Sequence, residues 1–133
     1  ILRKLADWMR VNDECIHGTG LWRINQEGPT KIQEGQFADG ASRNFTSEDF
    51  RFTCRGGNIY AACMACPADG KLHIRSLREA DASHLPLWHG IVRKVKVLGN
   101  PAQVAWTRDG EALHVDLGDY QSDMPVVVKI ITD

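Results

Sequence analysis

The sequence predicts an all-β fold, an antiparallel β-sandwich of about seven or eight strands, preceded by one short N-terminal helix and an irregular connecting segment. Three observations predict this fold. From residue 46 onward, short apolar segments are separated by turn signals at intervals of about ten residues. Apolar and polar residues alternate within most of these segments. Helical spacers of roughly 10–15 residues, which a parallel sheet needs, do not separate them.

Residues 1–11 are predicted to form the helix. Ile1, Leu5, Trp8 and Met9 recur at the spacing of one apolar stripe, and most of the charged residues fall on the other side. An isolated helix of this length is marginally stable in water. We therefore expect the stripe to pack against a larger body.

The connecting segment covers residues 12–45. Glycines and Pro29 interrupt every candidate element, so an ordered loop with one short strand at most is predicted. The following residues, Thr46 to Asp49, have the sequence of a single helical turn capped by side chains.

The strands are predicted from residue 50 to the end of the chain. The residues at 59–66 are continuously apolar, which is typical of a strand covered on both faces. Asp109-Gly110 indicates a two-residue hairpin turn. The predicted strands are 50–54, 59–66, 72–74, 91–98, 104–107, 113–117 and 126–131.

Length, composition and charge limit the classes of function that the chain can have. The chain has 133 residues, of which 43% are hydrophobic, enough for one domain with its own core. Its net charge of −1 comes from interspersed charges, so neither a nucleic-acid partner nor a lipid surface is predicted. No apolar run approaches the roughly 20 residues of a membrane span, and no signal peptide is visible. Because the chain begins with Ile1, we expect it to be a segment of a longer protein.

Metal ligands and cofactor sites are not predicted. The chain has four cysteines, Cys15, Cys54, Cys63 and Cys66. The last two form a CxxC motif, but they lie in a predicted strand, where residues three apart point to opposite faces. They are therefore expected to be small buried hydrophobic residues. His73 and His114 occupy outward strand positions, and they and the other histidines are expected to be at the surface or hydrogen-bonded.

Catalytic residues are not predicted either. Glycosidases use two carboxylates that lie about 5–9 Å apart across the sugar. Pairs such as Asp13-Glu14 or Glu48-Asp49 are adjacent in sequence and do not indicate that geometry. The tryptophans are the remaining candidates for stacking on sugar rings. Trp8 fits the helix stripe and Trp106 a strand core, so Trp22 and Trp88, in predicted loops, are the weak substrate-binding candidates.

Two blocks of sequence resemble family 29 glycoside hydrolases, the α-L-fucosidases. Residues 8–22, W-M-R-V-N-D-E-C-I-H-G-T-G-L-W, resemble that family's pattern W-L-x-V-N-G-E-A-I-Y-G-T-R-P-W. Residues 45–53, F-T-S-E-D-F-R-F-T, resemble its F-T-x-E-D-I-R-F-T. Weaker similarities follow at 27–30, 59–61, 74–77 and 97–99. The chain departs from the pattern at Asp13, Cys15, His17, Gly20-Leu21 and Cys66.

The resemblance implies a domain organisation. Such enzymes pair a (β/α)₈-like catalytic barrel with a C-terminal β-sandwich, and they are retaining exo-enzymes with an aspartate nucleophile and a separate acid/base carboxylate. Residues 1–45 would then be the last helix of the barrel and the connecting segment, and 46–133 the sandwich. The nucleophile would lie upstream of Ile1, so no catalytic residue is carried over. The segment alone is predicted to be inactive.

Two alternative functions stay open. An autonomous carbohydrate-binding module would show exposed aromatic residues in one row or loop cluster, whereas a plain structural or interaction domain would show an apolar patch without them. The predicted partners are the missing barrel of the same chain, fucosylated glycans through the parent enzyme, and a second copy through the exposed N-terminal helix. The compartment is open, and the resemblance favours an extracytoplasmic one, whether periplasmic, secreted or lysosomal.

Overall fold

A computed structural model of the chain describes residues 2–16, 18–29, 45–79, 88, 90–100 and 103–132. Within them, eight strands form two antiparallel sheets and one short helix precedes the strands, which confirms the predicted all-β sandwich. The elements are α1 (Leu2–Asn12), β1 (Gly20–Glu27), β2 (Phe50–Arg55), β3 (Asn58–Cys63), β4 (Lys71–Ile74), β5 (Lys94–Val97), β6 (Ala105–Arg108), β7 (Leu113–Asp116) and β8 (Val126–Ile131). Short 3₁₀ turns lie at Asp13–Cys15 and Arg75–Leu77.

The two sheets enclose one hydrophobic core. The five-stranded sheet has the order β1-β2-β3-β8-β5, and the three-stranded sheet has the order β4-β7-β6. Alternate residues of facing strands point inward, so the period of two in the sequence becomes one buried layer. The largest fully buried side chains are Phe50, Phe52, Leu72, Ile74, Leu77, Leu113 and Ile130.

Most predicted strand ends are shifted by one residue, and two strands and one hairpin differ by more. β3 ends at Cys63 rather than at residue 66: its pairing with β8 ends at Cys63 and Val126, and Pro125, which precedes Val126, has no amide hydrogen to extend the ladder. β5 begins at Lys94 rather than at residue 91. The β6–β7 hairpin exists, but residues 109–112 form a four-residue loop instead of the predicted two-residue turn. Asp109 Oδ1 accepts from the amides of Glu111 and Ala112 and stabilises the longer loop.

β1 is longer than the short strand that was predicted within the connecting segment. Its eight residues pair antiparallel with β2 and form one edge of the five-stranded sheet. The pairing register shifts between Leu21 and Gln26, the kind of irregularity that a β-bulge produces. The five-stranded sheet therefore starts before residue 46, the position at which the sequence predicts the sandwich to begin.

The N-terminal segment lies on the outer face of the five-stranded sheet. Tyr60 and Val127 point away from the core, yet they are buried in a second, smaller cluster with Cys15, against which Trp8 packs. Trp8 Nε1 donates to the Pro125 carbonyl at 2.7 Å, which anchors the predicted helix α1. Among the described residues, no helix has the length and apolar character of a membrane span.

Candidate functional site

A polar cluster joins the N-terminal segment to the outer face of the five-stranded sheet. Glu14 Oε2 accepts hydrogen bonds from the Tyr60 hydroxyl at 2.9 Å and from Lys129 Nζ at 2.8 Å. The bond from Lys129 is the largest influence on Glu14 and lowers the pKa of its carboxyl group. Burial is the largest influence on Tyr60 and raises the pKa of its hydroxyl group. Glu14 is therefore ionised and holds both partners at neutral pH.

An apolar groove of about 250 Å³ lies beside this polar cluster. Trp8, Ile16, Tyr60 and Met64 contribute to its walls. Ile16 is 50% exposed, and Leu5 and Val11 of the preceding helix are 47% and 45% exposed. The N-terminal segment thus presents three large apolar side chains to solvent, and one of them, Ile16, lines the apolar groove.

Glu27, at the end of β1, connects the two sheets. Its Oε2 accepts from the Arg75 amide at 2.8 Å and its Oε1 from the Ser76 amide at 2.7 Å. Both amides belong to the 3₁₀ turn that follows β4, so one carboxylate satisfies two donors that the short turn leaves unpaired. The contact is structural and ties the edge of one sheet to the end of the other.

The turn before β2 closes on Asp49. Asp49 is fully buried, and its Oδ2 accepts from the Thr46 amide at 2.7 Å and from the Thr46 hydroxyl at 3.1 Å. This confirms the side-chain-capped turn predicted at Thr46 to Asp49. Gly28 passes so close to it that an added Cβ would lie 2.6 Å from the Asp49 Cα. Asp49 is therefore a folding residue and not a solvent-facing acid.

The two tryptophan candidates come together in the structure. The Trp22 and Trp88 rings are 6.1 Å apart, edge to face, and Trp22 also packs against Phe52 at 5.3 Å. The Arg108 guanidinium lies 5.1 Å from the Trp88 ring centre and donates to the carbonyls of Leu77 and Gly90 at 2.6 and 2.8 Å. Both tryptophans are half-buried against the main core. Trp22, Trp88 and Arg108 form a cluster that packs against the core, and part of each tryptophan ring stays at the surface.

The cysteines are placed differently from the prediction. Because β3 ends at Cys63, the geometry of a strand does not separate Cys63 from Cys66. Cys63 is fully buried, and burial is the main cause that raises the pKa of its thiol to about 12. Burial also raises the pKa of the Cys15 thiol, to about 11. These two thiols are protonated at neutral pH and are poor nucleophiles.

His73 and His114 form a contact that the sequence analysis missed. They are directly opposite each other on the outward faces of β4 and β7, and their Nδ1 atoms are 2.7 Å apart. Asp109 Oδ2 lies 2.9 Å from the second ring nitrogen of His114. The outward positions were predicted, but the pairing of β4 with β7 was not, and alternation alone carries no signal for it. Within the described ranges, no group of three or more His, Cys, Asp or Glu side chains is arranged to hold a metal ion.

Comparison with known proteins decides the family. Residues 43–130 match the family described as the alpha-L-fucosidase C-terminal domain, which is more than half of the chain. The chain belongs to this α-L-fucosidase C-terminal domain family. A comparison with curated proteins found no match.

Solved structures with the same fold come from α-fucosidases of Thermotoga maritima. The α-fucosidase structure without a named ligand is 17% identical, with a TM-score of 0.62, and the match covers 96% of this chain and 25% of that one. The complex with a mechanism-based inhibitor is 16% identical, with a TM-score of 0.62, covering 96% of this chain and 24% of that one. The complex with fucose is 18% identical, with a TM-score of 0.61, covering 96% and 24%. The chain thus spans about a quarter of the length of these proteins.

The motifs that resemble the α-L-fucosidases have structural roles in this C-terminal domain. The F-T-S-E-D block is the turn capped by Asp49. The Glu27-Gly28 pair supplies the cap between the sheets and the close approach to that turn. In the 8–22 block, Glu14 and Cys15 anchor the N-terminal segment on the outer face, where the Thr53 hydroxyl donates to the Cys15 carbonyl at 2.6 Å. The motif residues with these contacts therefore stabilise the domain.

Proposed function

We propose that this chain is the non-catalytic C-terminal module of a retaining exo-α-L-fucosidase, whose full-length form hydrolyses terminal α-L-fucosyl linkages. The observation that carries the proposal is the match of residues 43–130 to the α-L-fucosidase C-terminal domain. The sandwich fold shared with the Thermotoga maritima α-fucosidases supports it.

The contacts of the carboxylates support a non-catalytic role. Glu14 is held by Tyr60 and Lys129, and Glu27 by two backbone amides. Asp49 is buried in its turn. A glycosidase needs one carboxyl group to attack or activate water and another to protonate the leaving group, both facing the sugar. These carboxylates instead stabilise the fold, and the catalytic pair would belong to the barrel.

We propose that the N-terminal side of the molecule faces the barrel. Residues 1–45 would be the end of the barrel and the connection, with β1 of that connection forming an edge of the sandwich whose body is 46–133. Leu5, Val11 and Ile16 of the N-terminal segment are exposed, and Ile16 lines the apolar groove. Exposed apolar surface marks an interaction site, and a domain of the same chain is held there at high effective concentration.

The first experiment measures hydrolysis of an aryl α-L-fucoside by the purified chain and by the full-length parent. We expect turnover from the parent and none from the chain. Activity that follows the pure 133-residue protein through its final column would reject the non-catalytic role.

A second experiment tests the barrel-facing side. Ile16→Asp should lower the Tm of the full-length parent, because it places a charge in the interface between domains, and should leave the Tm of the isolated chain nearly unchanged. Ile91→Asp is the matched control, since Ile91 is also exposed, at 64%. If both variants lower the Tm of the parent equally, the assignment of this face is wrong.

The tryptophan pair supports a second candidate function, that of a carbohydrate-binding module. Trp22 and Trp88 meet edge to face with part of each ring at the surface. Titration calorimetry with a fucosylated oligosaccharide distinguishes the two functions. The non-catalytic supporting role predicts no tight binding. A micromolar Kd that is lost in Trp88→Ala would instead favour the binding module.

A further inference from the structure

We propose that His73 and His114 form a surface site for a divalent transition-metal ion, with Cu²⁺ as the preferred ion. The site lies on the outer face of the three-stranded sheet, away from the N-terminal segment. Its two ligands are 41 residues apart in sequence, and the strands that carry them are directly paired. The proposal does not depend on the catalytic role of the parent enzyme.

The two imidazoles are placed to act as a chelating pair. They occupy one register position of the β4–β7 ladder, with ring centres 4.9 Å apart and an interplanar angle of 73°. His73 is exposed, and the His114 side chain is 27% exposed, so an ion reaches both from solvent. The neighbouring position on β6 holds Thr107, whose small side chain leaves a shallow cleft of about 240 Å³ beside the pair.

Asp109 prepares His114 as a ligand. Its Oδ1 accepts from the amides of Glu111 and Ala112 at 2.9 and 3.1 Å, which fixes the carboxylate beside the ring. Its Oδ2 lies 2.9 Å from His114 Nε2 and, as an acceptor, places the His114 proton on that nitrogen. The lone pair of His114 then lies on Nδ1, facing His73. A carboxylate behind a ligating histidine is the usual arrangement around protein-bound metals.

Binding then requires one rearrangement. Without metal, His73 donates from Nδ1 to His114 Nδ1. With metal, the neutral His73 ring moves that proton to its solvent-facing Nε2, through water, and both Nδ1 lone pairs bind the ion. No net proton is released when both rings are neutral. His73 is exposed, so its ring can turn to direct its lone pair at the ion.

The nitrogen donors favour Cu²⁺. Metal–imidazole bonds of about 2.0–2.1 Å put two nitrogens about 2.9 Å apart at a right angle and about 3.3 Å apart at a tetrahedral angle. The two Nδ1 atoms are 2.7 Å apart in their hydrogen bond, so a small movement of the exposed His73 ring reaches either separation. Cu²⁺ is preferred because it binds nitrogen ligands more tightly than Ni²⁺ or Zn²⁺. Water would complete the coordination.

The test uses the intact chain and substoichiometric CuCl₂. In the wild-type protein we expect the imidazole NMR signals of His73 and His114 to broaden before those of His17, His84 and His89. This measurement needs no variant, so it holds even if a substitution disturbs the fold. First broadening at any of the other three histidines would overturn the proposal.

Variants then measure the ligands separately by calorimetry with CuCl₂. We expect His73→Asn and His114→Asn each to weaken binding by at least about tenfold, and the double variant little more, because either change abolishes the chelate. Asp109→Asn should weaken it by about tenfold through His114. Lys96→Gln, exposed on β5 of the other sheet, is the control and should bind like the wild type. Wild-type affinity in both histidine variants would refute the site.

Discussion

Gly28 shows how closely two backbone segments approach in this domain. Its φ is +116°, a conformation that side chains rarely adopt, and an added Cβ would lie 2.5 Å from the Glu48 carbonyl oxygen. The neighbouring atoms are backbone or belong to buried Asp49, so they have little freedom to move. Only glycine fits between β1 and the turn at 46–49.

We therefore predict that Gly28→Ala lowers the free energy of unfolding by more than about 2 kcal/mol, from backbone strain together with steric overlap. Gly20→Ala, at the other end of β1, is the matched control because nothing lies within 4 Å of its added Cβ. Urea unfolding of both variants checks this. Equal, small effects at both positions would contradict the packing at Gly28.

Glu14 makes the stability of the fold depend on pH, and its hydrogen-bond partners determine the direction of that dependence. Lys129 lowers the pKa of the Glu14 carboxyl group from its ordinary value of 4.5. The folded state therefore favours the ionised form, and this contribution is present above pH 4.5 and is lost as the pH falls through the lowered pKa.

Glu14→Gln should thus cost on the order of 0.5 kcal/mol at pH 7, since the group is partly exposed and its ion pair is screened by solvent. The difference from the wild type should shrink below pH 4.5. Urea unfolding of both proteins between pH 3 and pH 7 measures it. A difference that grows on acidification would contradict the contact with Lys129.

At the scale of elements, Glu27 and the 3₁₀ turn at Arg75–Leu77 show how separate strands are held together. β1 and β4 belong to different sheets, and the Glu27 carboxylate joins their ends through two amides. Ser76 in this turn is buried, at 3% exposure. Water therefore has little access to its backbone amide and cannot easily replace the Glu27 carboxylate as the acceptor.

We expect Glu27→Ala to lower the free energy of unfolding by about 1–3 kcal/mol, because two backbone donors lose their acceptor. Glu27→Gln keeps one acceptor oxygen and should cost roughly half as much. Denaturant midpoints of the two variants give the comparison. If Gln and Ala are equally destabilising, the loss comes from charge and not from the pair of hydrogen bonds.

The helix α1 exposes apolar side chains that could mediate self-association of the chain. It is anchored through Trp8 and the Lys4–Asp123 ion pair, while Leu5 and Val11 stay exposed. A two-fold contact would let this apolar surface cover its own copy in the absence of a barrel. We predict that the isolated chain forms a homodimer through α1.

Sedimentation of the full segment beside a version that starts at Asn12 tests this. The full segment should sediment as the larger species at high concentration. It should also melt at a higher temperature, because Trp8 covers Tyr60 and Val127. Two monomers with equal Tm would show that α1 is neither an interface nor a contributor to the fold.

At the scale of the whole molecule, one core serves both sheets. Phe52 and Val128 of the five-stranded sheet share a single buried cluster with Leu72 and Leu113 of the three-stranded sheet. The three-stranded sheet is too small to bury an apolar face by itself. The two sheets are therefore expected to unfold together.

Leu113→Ala should cost about 2–5 kcal/mol, because it opens a cavity where both sheets meet. It should also keep one cooperative transition. Parallel melts followed by tryptophan fluorescence and by far-ultraviolet circular dichroism check this, with Thr107→Ala on the exposed face of β6 as the control. Separate transitions would indicate that the sheets are independent.

Local sequence patterns predict the strands from residue 50 onward, the residues of those strands that face the core, and the resemblance to the family. Alternation with a period of two is local, so Phe50 and Phe52, or Leu72 and Ile74, reveal their buried face without knowledge of their neighbours. The turn at Thr46 to Asp49 was predictable for the same reason, since its donors and acceptors lie within four residues.

The tertiary structure alone decided which strands are neighbours. β8 lies between β3 and β5, and β7 between β4 and β6. The same alternation is compatible with many pairings, and the packing of the complete core selects one of them. That selection brings His73 to His114, Trp22 to Trp88, and Glu27 to the turn after β4. Each of these contacts joins residues more than 40 positions apart, where local patterns carry no information about distance.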